Sequence, residues 1–165
     1  MNIQKEHINK AARVLSEAFF QYIFFTSIIP DEKQRKNILP YLFRFLVKYG
    51  IKYGEVHVPS PQIEGAAIWL PSDKVKISYF SSLICGGIPL FLSMDKETRH
   101  RFYIIEEAMQ KKHFSILKEK HMYLSMMGID LSMQGKGYGK IILKEMIDRC
   151  AVNKKPVYLA TQTEE

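Results

Sequence analysis

The sequence predicts a mixed α/β domain in which helices flank a sheet, and three observations carry that expectation. The run HMYLSMMGID is apolar nearly throughout, as a central strand covered on both faces should be. A glycine-rich stretch and a helical apolar pattern follow it, and Pro156 then introduces another strand, VYLATQ. Strand, loop, helix, strand is a βαβ unit, whose two strands are parallel. Upstream, GEVHVPS and IEGAAIWLP read as a hairpin through the turn at Pro59 and Pro61.

The remaining elements read as helices. Over residues 6–20, Ile8, Ala11, Ala12, Leu15 and Phe19 recur on one helical face. Asp31, after Pro30, is an N-cap for a second helix, DEKQRKNILPYLFRFLVKYG. Pro40 should kink or restart it. Residues 73–120 are mostly helical. Within them, residues 77–94 carry no charge but contain four serines, Gly86, Gly87 and Pro89. That is too polar and broken for a membrane-spanning helix, and predicts one or two buried helices joined by a turn. The stretch DKETRHRFYIIEEAMQKKHFSILKEK places Phe102, Ile105 and Met109 on one face.

A chain of 165 residues suits one domain with one core. The net charge of +7 and the pI near 9.3 suit an acidic ligand, such as a phosphorylated cofactor. They also admit a basic nucleic-acid-binding module. However, the lysines and arginines are spread along the chain and no reader motif appears, so no nucleic-acid partner is expected. Two cysteines cannot form a disulfide framework, and the first residues lack the apolar core of a signal peptide. A cytoplasmic protein without a membrane partner is expected. Five histidines and two cysteines show no metal-ligand spacing, so no metal is expected. Cys85 and Trp69 read as core residues. Phe19, Phe20, Tyr22, Phe24, Phe25, Tyr79 and Phe80 would line an apolar pocket or fill a core.

The chemistry-bearing stretch is the glycine loop. Gly135, Gly137 and Gly139 follow Gln134 at the mouth of a helix. The first four N–H groups of a helix lack intrahelical partners, and the helix dipole adds positive charge there. Glycines let those N–H groups converge on a phosphate, and Lys136 and Lys140 add charge. The dinucleotide fingerprint G-x-G-x-x-G fails, because Lys140 and Ile142 stand where its last glycine would. No G-x-x-x-x-G-K-[ST] string exists. What fits is Q-x-x-G-x-G at Gln134, Gly137 and Gly139.

On these residues the run YLSMMGIDLSMQGKGYGKIILKEMIDRC resembles the acetyl-CoA-binding motif of the GNAT superfamily of N-acetyltransferases. VYLAT resembles the next strand of that fold, and GAAIWLP with HMYLSMMGI is similar to the puromycin-acetyltransferase-like branch. The resemblance is good over residues 66–70 and 122–161 and loose over the first fifty. It implies a single acetyl-CoA-binding domain over residues 1–165. It also implies a central mixed, mostly antiparallel sheet flanked by helices, with a splayed pair of parallel strands around the cofactor slot. Acetyl-CoA is then the co-substrate and a small-molecule primary amine the acceptor.

By the same resemblance the coenzyme's pyrophosphate lies on the N–H groups of Gln134, Gly135, Lys136, Gly137, Tyr138, Gly139 and Lys140. Its pantetheine arm pairs with the main chain of Met127, Gly128 and Ile129 as an added strand. The Met127 amide would face the developing oxyanion. A lysine-like amine has a pKa of about 10.4, so about one part in 10³ is neutral at pH 7 and a base is expected. Candidates are Glu64, Glu106, Glu107, His113, His121 and Asp130. His121 has the suitable titration range, against its reading as an exposed strand-end residue. Glu106 and Glu107 also read as a solvated helix face, and Asp130 as a turn stabiliser.

The sequence departs from the family after VYLAT. GNAT enzymes usually continue with an N-x-x-F-Y-like segment and a final hairpin, and nothing here corresponds. Ala160 stands where the related branch often carries a glutamate. The domain is therefore expected to be incomplete at its C-terminus, with a homodimer through the open strand edge. A catalytically impaired CoA-binding or regulatory protein is the alternative.

Overall fold

The computed structural model describes residues 1, 3 and 5–161; the last four residues of TQTEE lie outside them. A 3-10 turn at Lys5–His7 leads into α1 (Ile8–Ala18), which is shorter than the 6–20 span expected. After α2 (Ile23–Ile28) comes α3 (Glu32–Tyr53), capped by Asp31, whose carboxylate accepts from the Gln34 N–H at 2.6 Å. Pro40 does not interrupt α3. It lies on the exposed face, where water can satisfy the carbonyl that loses its donor. Strands β1 (Glu55–His57) and β2 (Gly65–Pro71) follow, then α4 (Tyr79–Ile84), α5 (Gly87–Ser93) and α6 (Lys96–Ile116). The chain closes with β3 (Met122–Ile129), α7 (Tyr138–Val152) and β4 (Val157–Leu159).

The sheet order is β1-β2-β3-β4. The first two pairings are antiparallel and β3–β4 is parallel, which is the mixed sheet expected. Alternation along β2 divides the core. Ala66 and Ile68 join α1 and α3 on one face, with Leu15, Leu39 and Phe43. Ala67 and Trp69 meet Ile142, Met146 and Cys150 of α7 on the other. Val75, Cys85 and Leu70 gather with Tyr49 in a third cluster.

Two expectations of burial are corrected. The uncharged stretch 77–94 does form two helices joined at Gly86, which adopts φ +87°. They are not buried: Tyr79 is 82% exposed, Phe80 72% and Leu92 75%. Helices of six and seven residues bury one face against α3, and among the described residues no element covers the other. Similarly, most of β3 is only partly buried, because β4 spans just three residues of its length. No helix among the described residues is long and apolar enough to cross a membrane.

Candidate active site

The site is built by an irregularity in β3. Ile68 of β2 pairs with Met126, but Trp69 pairs with Leu124, so Ser125 is an extra residue on β3. Such a bulge reverses which face successive side chains take. Before it, Met122 and Leu124 point to α7; after it, Met127 and Ile129 do. Met126 instead joins the α1–α3 core. The parallel pairing with β4 ends at Leu124 opposite Leu159, so among the described residues β3 runs on from Ser125 to Ile129 without a neighbour on that side.

Register decides which main-chain groups face the open side. The Asp130 N–H donates to the Glu64 carbonyl at 2.8 Å, so Asp130, and by alternation Gly128, turn their backbone groups toward β2. Met127 and Ile129 face the free edge. Gly128 was expected on that edge with them and is turned the other way. Its absent side chain serves packing: a Cβ there would stand 3.0 Å from Ala18 Cβ and 3.1 Å from Leu15 Cδ2.

The free edge runs directly into the glycine loop. Asp130 starts it, accepting from the Ser132 N–H at 2.9 Å and the Ser132 hydroxyl at 2.6 Å. These bonds hold its carboxyl below the usual range, and Arg13 and Lys136 add to the effect. Asp130 thus stabilises the turn and is poorly disposed to take a proton. Gln134 donates from Nε2 to the Ile129 carbonyl at 3.3 Å. Gly135 and Gly137 adopt φ +78° and +85°, with no atom within 4 Å of where a Cβ would stand. Gly137 is the N-cap of α7, and the first helical bond runs from the Ile141 N–H to its carbonyl. Among the described residues, the N–H groups of Gly135, Lys136, Gly137, Tyr138, Gly139 and Lys140 make no hydrogen bond to protein. The loop therefore offers a bare row of donors at a helix N-terminus with open space before two of its glycines.

The other candidate residues separate into two groups. Glu64 accepts from the Ser60 hydroxyl near the Asp130 turn. Glu107 pairs with Lys111 at 2.9 Å on an outer helix face. At the other end of β3, His121 is buried, not exposed as a strand-end residue would be. It stands six residues before Met127, roughly 20 Å along the strand. Its Nδ1 lies 2.7 Å from the Glu119 carbonyl, an acceptor only, so Nδ1 carries the proton. Its Nε2 then accepts from His113 Nε2 at 2.6 Å. Both nitrogens are occupied far from the free edge, and a base at the loop end is not what His121 supplies.

Tyr123 and Tyr158 pack around this pair, with the His113 ring stacked on Tyr158 at 4.1 Å. Burial pushes the Tyr123 hydroxyl up to about 12, helped by Tyr158 and by the charge of Glu106. Glu106 is solvent-accessible. Its carboxyl is nevertheless crowded by protein enough to rise above the usual range, against a bond from Gln110 at 3.1 Å. Tyr123 immediately precedes the residue at which β3 and β4 part. This aromatic and acidic cluster was not legible beforehand, because β4 and α6 meet only in the folded chain.

No family model matches the chain. It is 26% identical over 166 residues to a protein of Schizosaccharomyces pombe named an uncharacterized N-acetyltransferase, covering 95% of this chain and 66% of that one. The chain thus spans just under two thirds of that curated relative's length. Among solved structures it resembles one described as histone acetyltransferase HPA2 and related acetyltransferase from Corynebacterium glutamicum. The TM-score is 0.63 at 19% identity, covering 99% of this chain and 76% of that one. A likeness at that identity speaks for the fold.

Proposed function

We propose that this chain, which carries the GNAT acetyltransferase fold, is an N-acetyltransferase moving an acetyl group from acetyl-CoA to a primary amine of a small molecule. One observation carries the reading: among the described residues, the unpaired edge of β3 ends at a row of unpartnered amides. The amides of residues 135–140, with Lys136 and Lys140 beside them, suit a diphosphate. The open space before Gly135 and Gly137 suits a bulky one. The free backbone groups of Met127 and Ile129 suit an extended amide-bearing arm laid along the edge. Gln134 would give up its bond to Ile129 as that arm is seated.

Acetyl-CoA supplies the thioester. The protein's part is to hold it still, to exclude water and to take a proton from the amine. The Met127 N–H is the donor available to a carbonyl oxygen in the slot. Glu106, whose carboxyl is raised and whose charge acts on Tyr123 just before the strands part, is the base we assign. The acceptor class is tested with a panel of small amines beside lysine-bearing histone peptides, read by released thiol. Faster turnover of the peptides would overturn the small-molecule assignment.

Gly137→Ala tests the coenzyme site by calorimetric titration with CoA. Alanine at φ +85° costs about 1 kcal/mol of stability. CoA affinity is expected to fall about tenfold or more, because the Cβ enters the space before the amides. Unchanged affinity in a folded variant would sink the site. Glu106→Gln should lower kcat about 100-fold with CoA binding intact; an undiminished rate would remove it as the base.

A further inference from the structure

Between α1 and α3, on the sheet face away from α7, lies a cavity of about 660 Å³. That is the size of a small-molecule site. Its apolar wall includes Ala12, Phe20, Leu39 and Leu131. Its rim carries Arg13, Lys36 and Arg44 against Glu17 and Glu32, all exposed. None of these five makes an ion pair among the described residues.

The decisive residue is Arg35, which also lines the cavity and is only 4% exposed. Its guanidinium lies 4.9 Å from the Phe20 ring. Its Nη1 donates to the Ile29 carbonyl at 2.7 Å and the Pro30 carbonyl at 3.1 Å. Its Nε has no partner among the described residues, and no carboxylate pairs with it. Burying a cation against carbonyl dipoles and a ring face alone is unfavourable. Capping the end of α2 accounts for the two carbonyl bonds, but not for the convergence of Arg13, Lys36 and Arg44 on the same space. Four lining cations less two lining carboxylates leave a surplus of two positive charges, which Asp130, acting on Arg13 from beside the cavity, only partly offsets. Low-dielectric walls concentrate such a field.

We propose that this cavity binds a small organic anion: an apolar body carrying one carboxylate. The carboxylate is held by the rim cations in the field of Arg35, and the body rests against Phe20, Leu39 and Leu131. Leu131, from the turn that leads into the glycine loop, lines the cavity, but none of residues 134–140 does, so the inference does not rest on the coenzyme reading.

The test is calorimetric titration of the full chain with 4-phenylbutyrate and with its neutral amide. The acid should bind, and the amide about tenfold more weakly. Arg44→Glu should weaken the acid about tenfold. Lys33→Glu makes the same charge change on α3 away from the cavity and should leave binding intact. Arg35→Met should also abolish binding; if that variant unfolds, the Arg44 and Lys33 pair decides. Saturating CoA should not displace the acid. Equal binding of acid and amide, equal effects of Arg44→Glu and Lys33→Glu, displacement by CoA, or no binding at millimolar acid would each overturn the proposal.

Discussion

His113 and His121 face each other Nε2 to Nε2 at 2.6 Å and hold one proton between them. The proton on His121 Nδ1 is committed to the Glu119 carbonyl, so the shared one belongs to His113. The bond fastens α6 to the start of β3. A further proton would set two N–H groups against each other.

Stability should therefore weaken in mild acid. Burial, and then the neighbouring His121, lower the pKa of His113 in the folded protein. The unfolded chain then binds the proton first, so the contribution of His113 is complete above about pH 6.5 and is lost as pH falls through the folded value. Glu106, raised by crowding, acts with the opposite sign. The comparison of urea midpoints for wild type and His113→Gln between pH 8 and 5.5 cancels it. The wild-type advantage should shrink toward the acid end; a constant difference would contradict the lowered pKa.

Gly128→Ala and Gly135→Ala should destabilise for different reasons. At Gly128 the new Cβ meets Ala18, Leu15 and Phe19 within 3.0–3.3 Å, so α1 must shift, at a cost of about 1–3 kcal/mol. At Gly135 there is open space but φ is +78°, and only backbone strain of about 1 kcal/mol applies. CoA affinity should suffer only at Gly135. Thermal midpoints beside CoA titrations separate the two, and a CoA defect confined to Gly128→Ala would reverse the assignment.

Trp69, the one tryptophan, is 1% exposed between β2 and α7. Its emission should be blue-shifted in the folded protein and move to the red on unfolding. Trp69→Ala should cost about 3–5 kcal/mol through the cavity it leaves. Red emission from the native chain would show that α7 does not lie on β2 as described.

Glu55 ties β1 to α7, accepting from Arg149 at 2.5 Å and from His57 at 2.9 Å. Burial pushes its carboxyl up, but the bonds from His57 and Arg149 outweigh that and leave it lowered. Its contribution is thus present above the ordinary carboxylate range and lost as pH falls through its folded value. Glu55→Gln should cost about 1 kcal/mol at neutral pH, since Arg149 is 45% exposed and partly screened. An unchanged urea midpoint at pH 7 would show the tie to be idle.

The βαβ unit, the hairpin and the glycine loop were legible because each rests on local chemistry. An apolar strand, a proline stop and glycines at positive φ leave marks on neighbouring residues. The exposure of Tyr79 and Phe80 was not legible, since an uncharged run reads as buried unless the absence of a covering element is visible. Nor was the direction of Gly128, because strand alternation needs the partner's register before a side can be assigned.

By itself, the sequence determined the order of strands and helices and the row of amides from Gly135 onward, through backbone preferences a few residues long. Only the tertiary structure decided that Ser125 is a bulge, that β4 abandons β3 at Leu124, and that His121 lies buried against His113. Those outcomes depend on pairing and packing between segments distant in the chain, whose energies no local stretch contains.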